Sequence, residues 1–109
     1  ADGSGCGIRL FAEAIPILPD TVEHAAMGLI PTGAHRNRDF REDMVVFSPS
    51  VSKFLPYILF DPQTSGGLLI CVDRERSEEL LDLLRNRGIS QAARIGEVIP
   101  GPKEKIQVD

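Results

Sequence analysis

Five apolar residues in a row, Leu68-Leu69-Ile70-Cys71-Val72, follow the pair Gly66-Gly67 and end at Asp73. A short, uninterrupted apolar run bounded by turn formers reads as a buried strand. Beyond it, from about Glu75 to Asn86, Leu80, Leu81, Leu83 and Leu84 recur at helical spacing, and Gly88 stands where a helix stops. A buried strand feeding an amphipathic helix calls for both element types in one layered domain.

The remaining sequence alternates in the same way. Ile8 to Ile15 is apolar except at Arg9 and Glu13 and reads as a strand, which Pro16 and Pro19 end. Asp20 or Thr21 is placed to cap a short helix to Met27, with Gly28 after it. From Gly28 through Arg38 turn formers are dense and neither period is present, so this stretch is expected to be an ordered loop. Met44 to Phe47 suits a short strand or a helix continuation. Ser48-Pro49-Ser50 opens a helix with Val51, Phe54, Leu55, Ile58 and Leu59 on one face, kept short or kinked by Pro56. Ile89 to Ile99 reads as a strand, and Lys105 to Val108 as its hairpin partner across Pro100-Gly101-Pro102. The expected fold is α+β, a mixed β-sheet with helices packed on it.

At 109 residues, 42% hydrophobic and 26% charged, the chain is expected to form one domain, residues 1–109, without disulfide or metal support. A net charge of −4 offers no field for nucleic acid. No apolar run nears the ~20 residues of a membrane span, and no basic-then-apolar leader opens the chain, so a cytoplasmic protein is expected. The start at Ala1-Asp2-Gly3, without methionine, favours an excised or processed piece.

Cys6 and Cys71 form no CxxC, and His24 and His35 have no ligand spacing, so no metal site is expected. Cys71 reads as a small buried hydrophobe; Cys6 has only Arg9 nearby to activate its thiol. No Ser/His/Asp order, carboxylate pair or complete phosphate loop is present, so no catalytic residue is assigned.

Two segments carry the right chemistry for binding. In Asp61-Pro62-Gln63-Thr64-Ser65-Gly66-Gly67, unobstructed glycine amides and the hydroxyls of Thr64 and Ser65 are suited to phosphate oxygens. A tight turn in which the glycines supply positive φ is the alternative. In Thr32-Gly33-Ala34-His35-Arg36-Asn37-Arg38, the arginines are suited to clamp a phosphate or a partner's carboxylates; a solvated charged loop is the alternative.

The stretch Leu59 to Ile70, with Asp61-Pro62-Gln63-Thr64-Ser65-Gly66-Gly67 at its centre, closely resembles a signature of selenophosphate synthetases, the selenide, water dikinases. Ile15-Pro16-Ile17-Leu18-Pro19, then Gly28 to Asn37, and finally Ile95-Gly96-Glu97-Val98 resemble the same family in the same order, so the resemblance spans nearly the whole chain. One departure is Thr32-Gly33-Ala34 where the family often has Gly-Gly-Thr. The resemblance implies the C-terminal domain of an enzyme that makes selenophosphate from ATP, selenide and water with Mg²⁺, for selenocysteine and selenouridine synthesis. It also implies a fold partly ferredoxin-like, as in the C-terminal domains of the aminoimidazole ribonucleotide synthetase superfamily. The Cys or Sec nucleophile, the ATP segment and the metal-binding aspartates of that family would precede Ala1. The expected partner is therefore an N-terminal ATP-binding half, in a homodimeric enzyme, with this fragment inactive alone and binding no ATP or Mg²⁺ itself. Thr64, Ser65, Gly66, Gly67, Arg36 and Asn37 are then the residues expected to face its cleft. Rival readings are a stand-alone binding or assembly module and another superfamily member, such as a thiamine-phosphate kinase or hydrogenase-maturation protein.

Overall fold

The computed structural model describes residues 1–109. In chain order its elements are β1 (Gly7–Leu10), α1 (Thr21–Ala26), α2 (Thr32–Arg41), β2 (Val45–Phe47), α3 (Leu55–Leu59), α4 (Ser77–Asn86), β3 (Gly96–Ile99) and β4 (Ile106–Val108). The sheet runs β2-β4-β1-β3. Strand β1 is antiparallel to β3 and parallel to β4, which is parallel to β2, so the sheet is mixed and the fold α+β as expected.

Register explains which sheet face is apolar. Ile8 lies opposite Ile106 and Val98, and Leu10 opposite Val108 and Gly96, while Val45 and Phe47 pair with Ile106 and Val108. Side chains alternate across a strand, so these residues share one face and Arg9, Glu97 and Gln107 the other. Val108 is fully buried on the apolar face. On the polar face Arg9 Nε donates to Asp109 Oδ2 at 2.6 Å. That hydrogen bond, with the charge of Asp109, raises the Arg9 pKa above its ordinary value.

Two glycines let the strands meet. A Cβ on Gly96 would collide with the Arg9 carbonyl oxygen, and one on Gly7 would lie 2.6 Å from the Pro102 carbonyl oxygen. The second contact marks where residues 100–104 cross the start of β1. The chain passes over Gly7, which puts β1 between β3 and β4 and overturns the expected hairpin.

Strand β1 is also shorter than expected, because residues 12–14 form a 3-10 turn; Ala12 N–H still donates to the Asp109 carbonyl. Strand β3 begins only at Gly96, and Pro56 stands in the first turn of α3, where its missing donor costs nothing, so no kink forms. Helices α1 and α4 end as read, at Gly28 and Gly88 with φ 82° and 89°.

Two further expectations are overturned. Residues 32–41 form a ten-residue helix, not a loop. The period test had little to detect there, since Ala34 is the only residue of α2 that is buried and Phe40 is 73% exposed. Leu68–Val72 forms no strand, and Leu68 is 90% exposed. A strand exists only through pairing, and no segment of the chain pairs with this one; Cys71 is therefore exposed instead of buried.

Candidate functional site

Helix α2 and the turn after α3 are fastened together by polar and steric contacts. A Cβ on Gly33 would lie 2.7 Å from Pro62 Cγ, so the first turn of α2 rests directly on the Asp61–Gly67 turn. One helical turn on, Asn37 Nδ2 donates to the Phe60 carbonyl at 3.0 Å. Arg38 Nη1 donates to the Tyr57 hydroxyl at 2.6 Å, its guanidinium lies 5.0 Å from that ring's centroid, and the His35 ring is 4.9 Å from it on centroids. Phe60 meets Phe47 edge-on at 6.5 Å, which ties the same turn to β2. The two segments singled out in the sequence are therefore neighbours.

The clamp sorts the candidate residues. Asn37 uses its amide to hold the chain's own backbone. Arg38 is occupied by Tyr57, and Arg41 by the Phe40 ring at 4.4 Å and by Met44 Sδ. Arg36 is exposed and makes no hydrogen bond or ion pair within the chain. Beyond Pro62, the amides of Thr64, Ser65, Gly66 and Gly67 donate to no carbonyl of the chain, and neither do those of Thr32 and Gly33 at the start of α2. Pro31, at the N-cap of α2, supplies no side-chain cap, so the positive end of the helix dipole lies against this turn.

Neither Gly66 nor Gly67 has positive φ, so the tight-turn explanation for them fails. A Cβ on Gly67 meets nothing within 4 Å, and one on Gly66 meets only the Gln63 side chain, with Oε1 at 2.8 Å. The chain's own atoms thus set no need for glycine at 67. Free amides, two hydroxyls and a free guanidinium suit an anion; no cluster of three or more His, Cys, Asp or Glu side chains able to hold a metal ion is present.

Sequence reasoning missed Tyr57 and Pro62 as parts of the clamp. The signal was thin: the chain's one tyrosine, and a proline read only as a turn former. A concavity of about 460 Å³ lies elsewhere, lined by Phe11, Ile17, Val22, Val51, Leu55 and Ile58 among others. It contains none of the candidate residues; the unpaired donors lie at the turn.

A mixed-sheet α+β domain with an exposed glycine turn held against a helix defines the class. The chain belongs to the family described as AIR synthase related protein, C-terminal domain, which matches residues 1–109. Its relatives include the selenide, water dikinase of Pelobacter propionicus, 50% identical over 106 residues that make up 97% of this chain and 30% of that protein. Selenide, water dikinase 2 of Peptoclostridium acidaminophilum is 38% identical over 108 residues, 99% of this chain and 31% of the relative. The Treponema denticola selenide, water dikinase is 39% identical over 110 residues, again 97% and 31%. The chain thus spans about 30% of the length of these relatives.

Proposed function

We propose that this chain is the C-terminal domain of a selenide, water dikinase and covers the cleft in which the rest of that enzyme makes selenophosphate from ATP, selenide and water. The 50% identity to the P. propionicus enzyme along 97% of the chain carries this reading. The geometry supports a part in handling phosphate. The amides of residues 64–67, the hydroxyls of Thr64 and Ser65 and the Arg36 guanidinium donate toward oxygens on which negative charge develops. Asn37, with Arg38 and Tyr57, positions the turn. The donor set fits phosphate and not a cation, so Mg²⁺ accompanying ATP is held by residues outside this chain. The Cys or Sec nucleophile, the ATP-binding half and the homodimer belong to the same proposal. No helix of the chain is long and apolar enough to cross a membrane.

The test is to co-express this chain with the portion of the P. propionicus enzyme that lies outside the match and to measure ATP- and selenide-dependent AMP release. Turnover is expected from the pair and not from the 109-residue chain alone. Turnover by the chain alone, or none from a purified pair, contradicts the proposal.

A further inference from the structure

We infer that Leu68–Val72 is a strand whose partner is an extended apolar segment in the rest of the enzyme, so that the 64–67 turn is set in place when the two parts join. This rests on the proposed function and adds the mode of assembly. From Thr64 to Val72 no amide or carbonyl makes a backbone hydrogen bond. Leu68, Leu69, Ile70 and Val72 are 90, 64, 50 and 42% exposed. The stretch contains no charged residue and no proline, the devices that usually protect an unpaired strand from chance pairing. An uninterrupted apolar run is the pattern of a strand covered on both faces, and here neither face is covered.

The neighbouring elements show the same deficit. Helix α4 buries no residue although its leucines form an apolar stripe, and Val98, on the apolar face of the sheet in β3, is 54% exposed. The accessible surface is 8041 Å², against about 6,000 Å² for a compact monomer of this mass. An excess of about 2,000 Å² is on the scale that permanent interfaces bury.

The occupant follows from the size of the relatives. The P. propionicus enzyme matches 97% of this chain with only 30% of its own length, so most of its polypeptide is left to supply the strand. A second copy is a poorer fit. Self-pairing of one five-residue segment leaves both copies of α4 uncovered and brings together two chains of charge −4. Main-chain addition of a strand, with side-chain pockets adding specificity, is an established mode of recognition.

Hydrogen exchange on the chain alone and on the chain co-expressed with the remaining P. propionicus portion tests this. The amides of Leu68–Val72 are expected to exchange at unprotected rates in the chain alone and ~100-fold more slowly in the pair. Ile70→Pro, which keeps the residue apolar but removes an amide donor, should abolish that protection, whereas Arg36→Ala should leave it intact. Four results overturn the inference: no pair forms; these amides exchange equally fast in the pair; protection in the chain alone rises with its concentration, which marks self-pairing; or Ile70→Pro keeps full protection. A pair protected at Leu68–Val72 but without turnover instead sinks the proposed function and leaves the inference standing. Turnover with unprotected amides does the reverse.

Discussion

At Gly96 in β3 a single added carbon runs into the carbonyl oxygen of Arg9, whereas at Gly67 the same carbon projects into open space. Both glycines lie in stretches that resemble the same family, and the sequence does not distinguish them. The structure does. Gly96 is glycine because two strands of this chain come too close for a Cβ. At Gly67 the chain's own atoms set no need for glycine; under the proposed function, an approaching phosphate or partner supplies one. Where β1 meets β3 the contact is internal to the chain, while residues 64–72 make no backbone hydrogen bond within it.

The largest effect that tests this contrast is Gly96→Ala. Forcing apart β1 and β3 should destabilise the chain by about 1–3 kcal/mol or more, the cost of overpacking. Thermal unfolding followed by circular dichroism should show a midpoint lowered by several degrees. An unchanged midpoint would mean that the close approach relaxes cheaply and that the contrast is false.

Next is the clamp that joins the two regions. Tyr57→Phe leaves the Arg38 guanidinium without its hydroxyl acceptor and should cost about 1 kcal/mol. The loss should appear as faster amide exchange in α2, with the sheet unaffected. Faster exchange throughout would show that the clamp belongs to the core and not to the turn.

A smaller effect is expected at Arg9, whose partner Asp109 lies on the exposed sheet face. Arg9→Met should lower the midpoint slightly, and the difference should shrink in high salt. Because its folded pKa is raised, the contribution of Arg9 is fully present below its ordinary value and fades only as pH rises through the raised one. Unfolding midpoints of the chain and the variant should therefore differ by the same amount at neutral and mildly alkaline pH; a gap that closes between them would contradict this.

Legibility in the sequence followed the kind of force involved. Helices α1 and α4 were readable because apolar spacing and a terminal glycine are local signals. Helix α2 was not, since it is held by Ala34 and by contacts to Tyr57, Phe60 and Pro62, residues more than fifteen positions away. Strand order was equally hidden, because the crossing over Gly7 depends on a contact with Pro102. For Leu68–Val72 the apolar run signals a strand, and none forms because no segment of the chain pairs with it. Of the candidate site, the turn and Arg36 keep donors unpaired within the chain, while Asn37 donates to the Phe60 carbonyl, a contact visible only once Phe60 is beside it.

Gly67→Ala should have the smallest effect on the fold, within about 0.5 kcal/mol, and it tests the central claim most directly when fold and turnover are measured together. In the 109-residue chain the unfolding midpoint should stay where it was. In the chain paired with the rest of the P. propionicus enzyme, ATP- and selenide-dependent AMP release should fall roughly tenfold or more, as expected when donors aimed at developing charge are displaced. Full turnover with an unchanged midpoint would contradict the account, because glycine at 67 would then serve neither the fold nor the site.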